Sequence, residues 1–291
     1  MTTSKTAQPQ LADTPADIPD QWETFLTMIE DTLCSVVVHV GIEPFLDAMM
    51  PATVIQAEIA LAHVTANGMP TVAEGKTLMA FDEALQTAIG VPGQHYLGRI
   101  TANGLRRIYV LIRNDADLPQ VERTLVTVGQ THGYEVALMQ ITDAPLRPYR
   151  DLLYPTDQDW QWIADQRQLD ALRDAGDMTA ETRPVEHWCA FTSPRAAEQF
   201  ADWARSKGYR VAPVEPGTSH EDGFVVRLTH LATMAPQDIG LHTMRLLDAC
   251  AGQGGSYEGW QAMVVQSAGQ GLAEAQRQGL GAETSPILRL H

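Results

Sequence analysis

Val185-Glu186-His187-Trp188-Cys189-Ala190-Phe191 decides the fold of the second half of this 291-residue chain. The run is β-branched and aromatic, and it stops at Ser193-Pro194, where an N-cap followed by proline at the first helical position predicts a helix. Ala197, Phe200 and Ala204 then share one helical face as far as Lys207-Gly208. Tyr209 to Val214 and Phe224 to His230 read as two strands across the turn-rich Glu215-Pro216-Gly217-Thr218-Ser219-His220. A last helix, from about Pro236 to Cys250, turns Ile239, Leu246, Leu247 and Cys250 inward, and Tyr257 to Val265 closes the set. The order β-α-β-β-α-β predicts a ferredoxin-like domain, an antiparallel sheet with both helices on one face. The other face is then free to bind a partner, to be covered by a leading helix expected from Trp160 to Arg173, or to pack on the first domain.

Towards the N-terminus the period changes repeatedly between strand and helix, which predicts a second α+β domain. Ser35 to Val40 and Thr53 to Leu61 read as strands, the latter ending at the turn Asn67-Gly68. Leu78, Phe81, Leu85 and Ala88 mark a helix stopped by Gly90 and Pro92. Tyr96 to Thr101 and Leu105 to Ile112 flank Ala102-Asn103-Gly104, the clearest hairpin, because Asn-Gly tolerates the positive φ of a tight turn. Asp117 is placed to cap a helix carrying Val121, Leu125 and Val128, and Tyr134 to Ile141 follows as a strand. Pro145, Pro148 and Pro155 mark a boundary. The expected layout is a flexible leader over 1–20, an α+β domain over 21–155, the ferredoxin-like domain over 160–265 and a tail over 266–291.

The formal net charge of −16 and pI near 4.8 repel phosphate backbones, so direct nucleic-acid binding is disfavoured and a basic protein is the natural partner. The same charge serves solubility. Between Lys5 and Lys76 the chain has no Lys or Arg, while Asp13, Asp17, Asp20, Glu23, Glu30, Asp31, Glu43 and Asp47 accumulate. Cys34, Cys189 and Cys250 are isolated and lack metal-ligand spacing, which predicts no disulfide framework, no zinc site and a reducing compartment. With no secretory or membrane-spanning apolar run, a cytoplasmic location is expected.

Catalytic constellations are weak. Gly252-Gln253-Gly254-Gly255 lies between helix and strand, the reverse of a phosphate-cradling loop, and reads as a turn. Ser256 lacks a nucleophile-elbow context. His187 stands beside Glu186, but strand neighbours point to opposite faces, so Glu186 does not orient it and a structural role is favoured. Glu43 and Asp47 read as a solvated acidic face, with a paired cation or acid/base site as the alternative. Trp188, Trp203 and Trp260 are assigned mainly to the core rather than to base stacking, with Tyr257 and Trp260 at the border of a partner groove as the exception.

Asp174-Ala175-Gly176-Asp177, Arg183-Pro184-Val185-Glu186-His187-Trp188 and Gly255-Ser256-Tyr257-Glu258-Gly259-Trp260 resemble, in order and spacing, the signature segments of the RraB family, regulators of ribonuclease E. The resemblance spans roughly Trp160 to Val264, and Tyr-Glu-Gly-Trp stands where the family has Tyr-Asp-Gly-Trp. It implies a bacterial, non-catalytic inhibitor that binds a ribonuclease E type endonuclease and modulates RNA degradation, without cofactor or metal. As family-signature or partner-contact residues it singles out Glu186, His187, Trp188, Tyr257, Glu258, Gly259 and Trp260. Asn67-Gly68-Met69-Pro70, Leu97-Gly98-Arg99-Ile100-Thr101, Arg106-Arg107-Ile108-Tyr109 and Tyr149 to Pro155 resemble domain of unknown function 695, which accompanies RraB domains. The alternative expectation is an N-terminal enzyme or small-molecule-binding module with the C-terminal domain as regulatory partner; a third is self-association.

Overall fold

The computed structural model describes residues 18–217 and 223–266, so most of the expected leader and tail, and the turn at Thr218-Ser219-His220, lie outside the described residues. The protein is α+β, with two antiparallel sheets and several helices. It divides into two compact units, Met1–Pro155 and Thr156–His291.

The N-terminal unit contains β1 (Trp22–Ile29), β2 (Thr32–His39), β3 (Thr53–Ala60), α1 (Val72–Ile89), β4 (Gln94–Ala102), β5 (Leu105–Ile112), α2 (Leu118–Thr131) and β6 (Val136–Ile141). Its sheet runs β1-β2-β4-β5-β3-β6, antiparallel throughout. Leu78, Phe81, Leu85 and Ile89 of α1, with Val121 and Leu125 of α2, pack on Ile55, Ala57, Ile59, Ile108, Val110 and Ile112. Each of these side chains larger than alanine is worth ~1.5–3 kcal/mol when fully buried, so this layer fixes the unit. On the other face Phe25, Val36, Val38, Leu97 and Leu111 are buried with Ile42, Leu46 and Met49 from two 3-10 turns and Tyr149 and Leu153 from a π turn.

The strand β1 was not expected. It returns through Glu30 and Asp31, both at positive φ, a turn without the glycine or asparagine that announces one. Asp117 makes no side-chain cap; Asn114 instead accepts from the Ala116 amide and starts a 3-10 turn that runs into α2. Glu43 and Asp47 belong to the 3-10 turns, and Asp47 pairs with Arg150 at 2.8 Å, which fits the solvated acidic reading.

In the C-terminal unit α3 (Asp157–Asp174) begins at a capping box, Thr156 and Asp159, three residues ahead of the expected start. There follow β7 (Arg183–Phe191), α4 (Pro194–Ser206), β8 (Arg210–Val211), β9 (Glu215–Pro216), β10 (Phe224–Ala232), α5 (Pro236–Ala251) and β11 (Gly255–Ala262). The sheet order is β11-β7-β10-β8, with β9 also pairing β10. The strand expected over Tyr209 to Val214 shrinks to Arg210–Val211, since Pro213 removes a ladder donor, while Glu215-Pro216, expected within the turn, pairs with β10 as β9. Ser193 gives no side-chain cap, although Pro194 holds the first turn as expected.

Alternation along β7 puts Val185, His187, Cys189 and Phe191 inward. Ala197, Phe200 and Ala204 of α4 and Leu246 and Cys250 of α5 cover Cys189 and Phe191, while Leu169 and Leu172 of α3 and Ile239 of α5 cover Val185 and Trp260. The leading helix therefore packs on the same side as α4 and α5. It does not cover the opposite face of this sheet.

Candidate functional site

The Tyr257-Glu258-Gly259-Trp260 stretch is a β-bulge. Tyr257 pairs with Cys189 and Trp260 with His187, so β11 spends three steps where β7 spends two. Residues three apart on a regular strand face opposite ways; the extra residue brings both aromatic rings to the helix side. Gly259 carries the bend at φ 114, a backbone region that favours glycine. Trp260 is then buried and its indole donates to Asp165 of α3 at 2.8 Å, beside donations from Thr243 of α5 and Gln161. Burial pushes the Asp165 carboxyl up against these three donors. Three elements are tied through one carboxylate.

Tyr257 meets His187, its hydroxyl 2.7 Å from Nδ1. His187 Nε2 lies 3.0 Å from Nδ1 of His230, whose ring stacks at 3.6 Å on His242 of α5, and His242 Nδ1 lies 2.7 Å from the Tyr209 hydroxyl. The network assigns a neutral chain: Tyr257 O–H donates to His187, and His187 Nε2–H donates to His230. His230 Nε2 is buried without a hydrogen-bond partner. Burial, followed by the neighbouring imidazoles, holds His187 well below the ordinary imidazole value and His230 down to about 4; burial and then Arg245 lower His242, against Asp238. These rings stay uncharged near neutrality and make a polar core. His187 is fully buried, which serves packing rather than proton exchange with a substrate. His230, a scattered histidine in the sequence, is drawn in by the alternation Val226, Leu228, His230.

The first two signature segments meet likewise. Gly176, at φ 74, ends α3, with the Asp177 amide donating back to Leu172. The Asp177 carboxylate takes both terminal nitrogens of Arg183, at 2.6 and 2.5 Å, and the Val265 amide, while Arg183 also donates to the Met263 carbonyl. This pair clamps the start of β7 to the end of β11.

In the N-terminal unit the residues of the second resemblance also converge. Asp82 of α1 receives Arg99 at 2.9 Å and Arg106 at 2.8 Å, and Arg106 donates to Thr101. Asp82 Oδ1 and the Tyr96 hydroxyl are buried without partners. Gly98, at φ 148, lets β4 approach β2, where a Cβ would lie 2.4 Å from the Val37 carbonyl. Gly68 sits against Asn103 of the hairpin turn, and Tyr149 donates to the His39 carbonyl.

The singled-out residues of β7 and β11 lie on adjacent strands but divide between the two faces. His187, Tyr257 and Trp260 point towards the helices. Glu186 and Trp188, half-buried, belong to the opposite face with Ala190, Val225, Arg227, Thr229 and Leu231, while Glu258 is exposed at the bulge. Glu186 is held by Gln261, not by His187. One row of this face, Leu231 beside Pro184, is apolar and is continued by Met263, the residue after β11; Leu231 is 69% and Met263 52% exposed. Among the described residues no His, Cys, Asp and Glu group could hold a metal ion, and no helix is long and apolar enough to cross a membrane.

These geometries coincide with two families. Residues 162–262 match the family described as regulator of ribonuclease activity B, and residues 20–154 match a family of unknown function, DUF695. At family level the C-terminal region is thus grouped with regulators of ribonuclease activity, which are not enzymes. No curated protein matches the chain. Among solved structures it is similar to a provisionally assigned glycine cleavage system transcriptional repressor, at 12% identity over 74% of this chain and 98% of that one, TM-score 0.20. It is similar also to an unknown protein from Galdieria sulphuraria, at 13% identity over 71% and 95%, TM-score 0.18. At these scores neither likeness carries an argument.

Proposed function

We propose that the chain is a cytoplasmic, bacterial, protein-binding regulator of a ribonuclease E type endonuclease, and that its C-terminal unit docks through the open face of β7, β10 and β11. The observation that carries this reading is the coincidence of the ribonuclease-regulator match with a sheet whose three helices all lie on one side. The order β11-β7-β10-β8 with crossovers α4 and α5 supports a ferredoxin-like domain over 160–265, with 21–155 as a separate domain. The exposed row at Leu231, Pro184 and Met263 supplies apolar contact, and Glu186 and Glu258 face an Arg-rich segment. The overall negative charge speeds and selects that encounter and keeps RNA itself away. His187, Tyr257 and Trp260 act indirectly, by shaping β7 and β11.

The test is capture of the ribonuclease by the full chain under graded salt, together with substrate cleavage. Capture should weaken with salt, and cleavage should slow. Glu186→Lys with Glu258→Lys should lower capture about tenfold, the scale of a lost interfacial charge contribution of ~1.4 kcal/mol. Unchanged cleavage at saturating protein would remove the inhibitor reading.

A further inference from the structure

Two helices are too few for a six-stranded sheet. Strands are spaced ~4.8 Å apart and packed helices ~10 Å, so one helix covers about two strands. In the N-terminal unit α1 rests against β4, and α2 against β3 and β6. Among the described residues that leaves β1 and β2, beyond Trp22 at the border of the helix-covered core, without a helix packed along them on this side. The register puts Trp22, Thr24, Leu26 and Met28 of β1 there, opposite His39, Val37, Ser35 and Leu33 of β2. Val37 in turn pairs with Arg99, which pairs with Ile108 of the helix-covered core, so the strip continues the same face. Leu26 is 47% and Met28 60% exposed, whereas Phe25, Val36 and Val38 on the reverse of the same strands are buried. Met79, 71% exposed, stands on α1 one turn before Asp82, the residue that reaches Arg99.

We infer that this strip seats one amphipathic helix of a basic partner protein, lying beside α1 as the third helix of the layer. Its apolar stripe meets Leu26, Met28, Leu33 and Met79; its Lys and Arg residues meet the rim. That rim is anionic at both ends, with Asp20 just before β1 and Glu30 and Asp31 in the hairpin tip, within a stretch that contains no Lys or Arg. Glu30 and Asp31 hold φ of 48° and 60°, so two carboxylates occupy positions that glycine or asparagine fill at lower cost. Arg99, a cation bordering the strip, is already engaged by Asp82. A second copy of the chain would bring the same three carboxylates against each other, which opposes self-docking; a polyanion is opposed for the same reason.

The experiment uses the full chain and a labelled Leu/Lys amphipathic peptide of ~18 residues, about five helical turns, with a scrambled peptide of equal composition as control. Binding should slow amide exchange within residues 22–39, and the scrambled peptide should bind about tenfold more weakly. Leu26→Asp with Met28→Asp should weaken binding about tenfold, and Leu26→Thr with Met28→Thr, which keeps strand propensity, severalfold. Met139→Asp, on the opposite edge strand, should leave affinity unchanged. Equal affinity of the wild-type chain and both strip variants would overturn the inference. So would equal binding of the scrambled peptide, or protection of a segment other than 22–39. Concentration-dependent dimers that protect 22–39 would assign the strip to a second copy and overturn it as well.

Discussion

The two units handle buried charge in opposite ways. In the C-terminal unit Asp177 and Arg183 close on each other with two short bonds, and the Val265 amide gives Asp177 a third donor, although Arg183 Nε is buried without a partner. In the N-terminal unit one carboxylate, Asp82, is divided between Arg99 and Arg106, and its second oxygen is left over. The first arrangement pins strand ends and fixes one register. The second lies beside a sheet strip that the unit's own helices do not reach. A carboxylate with both oxygens engaged specifies structure, whereas a shared one with an idle oxygen leaves Arg99, the more exposed guanidinium, able to turn to water.

The sharpest way to break this comparison is to remove each carboxylate. Asp177→Ala strands Arg183, whose side chain is 5% exposed, and should cost ~3–5 kcal/mol, the usual penalty for an orphaned buried charge. Asp82→Asn keeps an acceptor for Arg106 and should cost less, ~1–3 kcal/mol. Because a two-unit chain does not unfold in one step, each loss is read by hydrogen exchange of amides within its own unit. Equal losses would mean that the N-terminal network is as closed as the C-terminal one.

Acid should separate the units next. His187, His230 and His242 are held below the ordinary value of 6.5 in the C-terminal unit, as His39 and His95 are in the N-terminal unit, His230 and His95 down to about 4. Below 6.5 the unfolded imidazoles bind protons that the folded ones refuse, so stability falls as pH drops from 6.5 towards 4. Asp165, with its raised value, acts in the opposite sense at the acid end. Three stacked rings against two should make the C-terminal unit lose protection faster between pH 7 and pH 5. His242→Gln, which keeps an acceptor for Tyr209, should narrow the gap. A gap unchanged by that substitution would place the acid sensitivity elsewhere.

Much of the C-terminal fold was legible because each local signal agreed with its neighbours: Ser193-Pro194 before a helix, alternation on β7, glycine after α3. The bulge was not. Tyr257 and Trp260 are named by the sequence as a motif, yet only the register shows that Gly259 turns both inward, to His187 and Asp165. The histidine stack was equally hidden, because His187, His230 and His242 are 43 and 12 positions apart in sequence and joined only by strand pairing and the α5 crossover. Glu186 was separable from His187 by alternation alone. The strip on β1 and β2 depended on β1, whose turn carried no recognisable chemistry.

That turn allows the smallest and most exact comparison. Glu30-Asp31 and Asn103-Gly104 both close antiparallel strands with two consecutive residues at positive φ, 48° and 60° in one, 49° and 75° in the other. Only the second has the asparagine-glycine pair suited to that backbone; Asp31 is tolerated there, whereas Glu30 pays about 1 kcal/mol. Glu30→Asn with Asp31→Gly should therefore stabilise the N-terminal unit by ~0.5–1 kcal/mol, measured by exchange of β1 and β2 amides. The same variant removes two carboxylates from the rim of the open strip and should weaken the Leu/Lys peptide severalfold. Stabilisation together with weaker binding would show that the turn's residues serve docking over folding; stabilisation with unchanged binding would confine the charge argument to Asp20.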